Sequence, residues 1–235
     1  MELLAKIIFC MTYNEVVDFF QSIIDDQPDT DLIDGLADTS YTNRNQSRVW
    51  AFLMKLDTSI THSPGNTYAT EKSLPSDFGS MVKLNGGTGD NEYDGVPFID
   101  IHRWQSQPNK YALDIANSKM RLTGSVSSAL TMQLFYQYVP TSLFGLSSTQ
   151  KDSATTIVWP ARFHRLLAYD MAAAMFGGVD ADEITQRMSP AQRAEAHMLA
   201  MSMIKWDNRN LLKMMGGSST SRRSEPGNHP DVVSW

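Results

Sequence analysis

Hydrophobic and polar positions change their period three times along the chain. Val16, Val17, Phe19, Phe20, Ile23 and Ile24 recur at helical spacing behind Thr12-Tyr-Asn-Glu15, a capping box in which Thr12 and Glu15 satisfy each other's backbone N–H. The pattern predicts a short amphipathic helix over 12–26, ended by Asp25, Asp26 and Pro28. Residues 29–41 read as acidic and turn-rich. Val49, Trp50, Phe52, Leu53, Leu56 and Ile60 then predict a second helix over 43–61, stopped by Ser63-Pro-Gly65.

From Thr67 to Val139 the period falls to two. Short runs at 67–70, 80–84, 96–101, 110–116, 119–123 and 129–139 are separated by turn clusters: Leu74-Pro-Ser-Asp-Phe78, Asn85-Gly-Gly-Thr-Gly89, Gln107-Pro-Asn109 and Asn117-Ser118. The last run is the clearest. Leu130, Met132, Leu134, Tyr136 and Tyr138 point one way, and Thr131, Gln133, Phe135 and Gln137 the other, as in a half-buried strand. Six such segments suggest a compact β-sandwich or barrel inserted between helices. Residues 140–158, rich in Ser and Thr, read as an exposed linker.

Helical spacing returns with Phe163, Leu166, Leu167, Met171, Ala174 and Met175, giving a helix over 160–176 opened by Pro160 and stopped by Gly177-Gly178. A longer helix starts with Ser189 as N-cap and Pro190 in its first turn. It runs to about Met215 with a stripe of Ala194, His197, Met198, Met201, Ile204, Asn208, Leu211, Leu212 and Met215. Residues after Gly216-Gly217 show no period. The architecture expected is α+β. A helical bundle built from the N- and C-terminal helices carries an inserted antiparallel β-sandwich or barrel and an extended C-terminal arm. The corresponding divisions are an arm at 1–11, bundle helices at 12–62, the β-domain and linker at 63–158, bundle helices at 159–215, and the arm at 216–235.

Composition narrows the function classes. At 42% hydrophobic the chain has enough apolar content for a real core, and its net charge of −6 argues against a nucleic-acid clamp. The single Cys10 excludes an intramolecular disulfide and a Cys-rich metal site, and fits assembly in a reducing cytoplasm. The apolar start, MELLAKIIFCM, is too short for a membrane span and lacks a cleavage pattern, which leaves an ordered arm or a true start at Met11. The 14 methionines suit gap-filling and adaptable contacts.

Candidate chemistry fails on context. Asn85-Gly-Gly-Thr-Gly-Asp90 lacks the Lys-Ser/Thr and the helix of a phosphate loop, so it reads as a hairpin turn. Asp90-Asn-Glu92-Tyr-Asp94-Gly95 imitates the start of an EF-hand loop. It has Ile101 at position twelve and Pro97 where a helix should enter, which leaves a solvated acidic turn or a loose divalent-ion contact. The histidines, His62, His102, His164, His197 and His229, form no pair at ligand spacing. A His164–His197 pair across two helices is the one conceivable exception. There is no nucleophile elbow, and Cys10 has no adjacent base. Phe135, Tyr136 and Tyr138 could stack bases, but no Lys or Arg interleaves them, so a core face with one exposed ring is the better reading. No catalytic residue, metal ligand or cofactor is assigned.

The C-terminus is more informative. Arg222-Arg223 among Ser, Gly and Pro, followed by Val232, Val233 and Trp235, reads as an arm with an adhesive end, suited to strand addition or to plugging a pocket.

The order of parts resembles the head–tail adaptor proteins of tailed phages. The resemblance is carried by the helix after Met-Thr-Tyr-Asn-Glu15, the Trp50 segment, Leu74-Pro-Ser-Asp-Phe78 before a strand, the Gln133-Leu-Phe-Tyr-Gln-Tyr-Val-Pro140 strand, Trp159-Pro-Ala-Arg-Phe-His164 opening a helix, and the long C-terminal helix, over about 12–215. The resemblance implies a structural, non-enzymatic protein of the virion, at the head–tail interface and assembled in the host cytoplasm. It implies a homo-oligomeric ring of about twelve subunits with heterologous contacts closed by rotation. The implied partners are the portal protein and a tail nozzle or tail tube protein. Genomic DNA would pass through an acidic lumen without sequence-specific binding, and no membrane is involved. It assigns portal binding to the C-terminal arm, hence to Arg222, Arg223, Val232, Val233 and Trp235. The N-terminal arm and the acidic loop at 85–95 depart from the usual pattern. The alternatives are a virion-associated cell-wall hydrolase, which would need a carboxylate pair in a cleft, and a neck stopper or tail-completion protein.

Overall fold

A computed structural model describes residues 10–64, 70–87, 91–176 and 188–214. Helix α1 (Tyr13–Ile24) begins at the expected capping box: Thr12 Oγ1 accepts from Glu15 N at 3.2 Å and Glu15 Oε2 from Thr12 N at 2.7 Å. It ends one residue later in Asp25, whose left-handed φ of 53° closes the last turn.

Where turns were expected at 29–41, the chain forms α2 (Thr30–Gln46). Its buried positions, Ile33, Ala37, Ser40, Tyr41 and Asn45, do fall at helical spacing. Small and polar residues occupy half of that face, so hydrophobicity alone hides the period. The expected helix over 43–61 does not form. After Gln46 come one 3-10 turn (Ala51–Leu53) and two strands, β1 (Met54–Asp57) and β2 (Thr61–His62). The apparent stripe is divided between two cores: Trp50 and Leu53 pack with the helices, Ile60 packs between the sheets, and Leu56 is exposed on β1.

The remaining strands are β3 (Thr70–Ser73), β4 (Phe78–Gly86), β5 (Asn91–Glu92), β6 (Asp94–Gly95), β7 (Lys110–Asp114), β8 (Lys119–Leu122) and β9 (Leu130–Tyr138). One sheet runs β1-β9-β4-β5, with β2 also on β9; the other runs β3-β8-β7-β6. All pairs are antiparallel except β6–β7. Leu84, Met132, Leu134 and Tyr136 of the first sheet meet Met120 and Leu122 of the second, which closes a sandwich core. The alternation read for β9 holds, with Met132, Leu134 and Tyr136 buried. The segment expected as a strand at 96–101 is instead a 3-10 helix, Phe98–Trp104. Pro97 cannot donate to a ladder, and its fixed φ starts a helical turn. Of the run at 67–70 only Thr70 lies among the described residues.

The 140–158 linker is less exposed than its composition suggests. Leu143 and Ile157 are buried in the helical core, and Ser147 caps a single turn, α3 (Ser148–Lys151). Beyond it, Pro160 leads into a 3-10 turn (Ala161–Phe163) and α4 (His164–Phe176); Ser189 then precedes α5 (Pro190–Met214). Gly177-Gly178 lie outside the described residues. Helices α1, α2 and α4, with part of α5, enclose Phe20, Tyr41, Trp50, Trp159, Phe163, Leu167 and Met203. The fold is α+β, with helices toward both ends and the sheets between them.

Candidate functional site

The helical layer is fastened to the sheet by buried polar groups around one residue of β9. Gln137 lies on the strand face that is otherwise polar or outward, and its side chain is buried against α2. Its Oε1 accepts from Trp50 N at 3.0 Å and its Nε2 donates to the Asn45 carbonyl at 2.8 Å. The Asn45 carbonyl, in the last turn of α2, has no helical partner, so Gln137 caps it. Asn45 Oδ1 accepts from Trp159 Nε1 at 2.8 Å, and the Tyr41 hydroxyl accepts from Val158 N at 3.1 Å. Burial pushes the Tyr41 phenol well up. Arg44 forms a bidentate pair with Asp170 of α4, at 2.9 and 2.6 Å. Burial raises the Asp170 carboxyl although Arg44 opposes the shift. At the outer end of α1, Asp34 accepts from Tyr13 Oη at 2.6 Å and from Lys151 Nζ at 2.8 Å, joining α1, α2 and α3.

Helix α5 is pinned through Asp207. This fully buried carboxylate accepts from Ala51 N at 2.7 Å, and Arg48 approaches it at 3.6 Å. Burial pushes the carboxyl up, with its backbone donors and Arg48 opposing. Trp206 packs on Phe163, with ring centroids 6.1 Å apart. The expected stripe on this helix is rotated. Met203 and Asp207 are buried and Ala196, Leu199, Ala200 and Trp206 partly so, whereas Ala194, His197, Met198, Met201, Asn208 and Leu212 face outward. Apolar residues occur on both sides of α5, so two registers fit its sequence; contacts with Ala51 and Phe163 select the one observed. The expected portal-binding residues Arg222, Arg223, Val232, Val233 and Trp235 lie outside the described residues, beyond the end of α5 at Met214.

The other sequence candidates disperse. Asn85 and Gly86 pair with Glu92 and Asn91, so the glycine-rich stretch flanks a hairpin whose residues 88–90 lie outside the described set. Glu92 pairs with Lys83 and Asp94 with Lys110, so these acids are spent on separate ion pairs. Among the described residues no cluster of three His, Cys, Asp or Glu side chains could hold a metal. His164 is buried, with Nδ1 2.7 Å from the Met11 carbonyl oxygen and Nε2 2.8 Å from that of Trp159, while His197 is exposed on α5; the two do not pair. His62 is buried beside Tyr93, and burial lowers its pKa. His102 is exposed and His229 lies outside the described residues. Cys10 is exposed. Tyr136 is buried, its hydroxyl donates to Asp77 at 2.9 Å, and burial pushes the phenol up to about 12. Among the described residues no helix is long and apolar enough to cross a membrane.

Sequence reasoning missed Gln137 and Asp207. The available signal was a polar side chain inside an apolar context: Gln137 between buried Tyr136 and half-buried Tyr138, and Asp207 after Trp206.

A comparison with curated proteins gives no match. The family model described as SU10 adaptor protein matches residues 11–226, which takes in both helical parts and both sheets. The chain therefore belongs to the SU10 adaptor protein family of phage head–tail adaptors.

Proposed function

We propose that the chain joins a phage capsid to its tail by forming a ring under the portal. The observation that carries this reading is the family match across nearly the whole chain. The same match favours a structural role over an enzymatic one, in the virion at the head–tail junction. In this reading residues 216–235 grip the portal, with Trp235, Val232 and Val233 as apolar anchors and Arg222 and Arg223 as charge contacts. Around a ring of about twelve copies, individually weak grips add by avidity. The far face meets a tail nozzle or tube protein. An overall charge of −6 suits a passage that DNA crosses without sticking.

Removal of residues 216–235 tests the arm. The truncated chain should melt like the full chain, because the described core ends before the deletion, and should lose capture by purified portal. Full-strength portal binding by the truncated chain would refute the assignment. A Trp235→Ala chain should weaken capture by about thirtyfold or more, as truncation of an aromatic anchor does.

A further inference from the structure

Two charged regions of opposite sign have no ion-pair partner among the described residues. A cleft of about 420 Å³ between the start of α4 and the middle of α5 is lined by Arg162, Lys205 and Arg209 with Phe163 and Trp206. Arg162 lies over both rings, 4.7 Å from the Phe163 centroid and 5.1 Å from that of Trp206. This stacking fixes the guanidinium plane and leaves its edge N–H groups unspent. Among the described residues no carboxylate pairs with any of the three cations. In a chain of net charge −6, a cleft with three positive groups and no acid among its described lining residues suits an anion.

The second region is the end of α1. Asp18, Asp25 and Asp26 share a shallow surface with Gln21, Ser22 and Gln27, and among the described residues none of the acids is in an ion pair. Their position is electrostatically wrong for an isolated subunit. The C-terminal end of a helix is the negative end of its dipole, and the last turn of α1 holds no basic residue. A cation from outside the chain would relieve both the side-chain and the dipole charge.

These regions cannot meet within one chain. Helices α1 and α4 run in the same direction, because Met11 meets His164 at their start and Phe19 meets Tyr169 further along. Arg162 precedes α4, while Asp25 and Asp26 lie toward the far end of it. The 13 residues of α4 place Asp25 and Asp26 about 20 Å along its axis from Arg162. Complementary surfaces at opposite ends of one layer define a head-to-tail contact.

We propose that the Arg162–Lys205–Arg209 cleft receives the Asp18–Asp25–Asp26 end of α1 from a second copy of this chain. A nucleic-acid occupant would satisfy the cleft but leave the acidic end unneutralised, so charge balance favours the copy. The contact stands on the two surfaces alone; it rests on the ring reading above only for closure into a ring.

Sedimentation of the full chain with Lys205→Glu/Arg209→Glu or Asp18→Lys/Asp26→Lys tests the contact. All four residues are outside the core, so both variants should melt close to wild type. Wild type should self-associate and weaken with salt. Each variant alone should associate at least about tenfold more weakly, and an equimolar mixture of the two should regain association through alternating contacts between unlike variants. A wild-type chain that stays monomeric, a variant that associates normally, or a mixture that fails to recover would each overturn the proposal. Carbodiimide treatment of mixed light and isotope-labelled wild-type chains gives a variant-free test. Lys205 should cross-link to Asp25 or Asp26 in mixed-label peptides; cross-links only elsewhere contradict the contact. Binding of a short DNA duplex that is lost in Lys205→Glu/Arg209→Glu, with association unchanged, would assign the cleft to nucleic acid instead. Portal capture by the same proteins separates the two proposals: normal swap behaviour without capture fails only the adaptor role, and capture with indifferent variants fails only this contact.

Discussion

Replacement of Gln137 by leucine tests the junction between helices and sheet. Leucine has nearly the same volume but makes neither hydrogen bond, so the buried Trp50 N–H and the Asn45 carbonyl lose their partners together. Each unpaired buried backbone group costs about 1–3 kcal/mol. Extra apolar burial by leucine offsets about 1 kcal/mol, which leaves a net loss of about 1–5 kcal/mol. For a chain of this length that lowers Tm by about 3–15 °C. Urea unfolding followed by tryptophan fluorescence should show a lower midpoint with an unchanged slope, because the surface exposed on unfolding is the same. Gln133→Leu, on the same face of β9 but without a side-chain partner among the described residues, is the control and should stay within about 0.5 kcal/mol of wild type. A Gln137→Leu chain as stable as the control would refute the assignment of Gln137 as the fastening residue.

Thr12→Ala removes one half of the α1 capping box and should cost about 1 kcal/mol, read as a midpoint shift in the same assay. Gly124→Ala should cost about 2 kcal/mol or more, since φ is +78° and a Cβ would lie 2.7 Å from the Pro108 Cα; a neutral result would contradict the backbone geometry there. Asp207 has its folded-state pKa raised by burial, so its contribution to stability is present below the unfolded carboxylate value and is lost as pH rises through the folded one. Asp207→Asn keeps an acceptor for Ala51 N and lacks that loss. Its stability relative to wild type should therefore improve from acid to neutral pH, and a relative stability that falls as pH rises would show the sign to be wrong.

Elements with one clean signal were legible in the sequence, and elements with shared signals were not. The capping box and bulky apolar stripe of α1 gave its start without ambiguity, and strict alternation gave β9. Ser189 with Pro190 located the start of α5. Helix α2 was hidden because Ser40 and Asn45 occupy its buried face, where Asn45 serves the junction rather than an apolar core. The 43–61 segment misled because Trp50, Leu53 and Ile60 serve different cores, a tertiary division that periodicity cannot encode. On α5, apolar residues on both sides left the helix evident and its rotation undetermined. For the candidate surfaces, charge arithmetic showed an acidic chain, but only the fold reveals that three cations share a cleft without an acid. The portal-binding residues proposed above rest on composition and family resemblance, and they lie outside the described residues.

The most direct measurement is the mass of the full chain mixed with purified portal, by light scattering across a range of salt. The expected result is a large complex of fixed stoichiometry that contains several copies of the chain per portal ring. A chain that passes portal unbound at both low and moderate salt would contradict the adaptor reading.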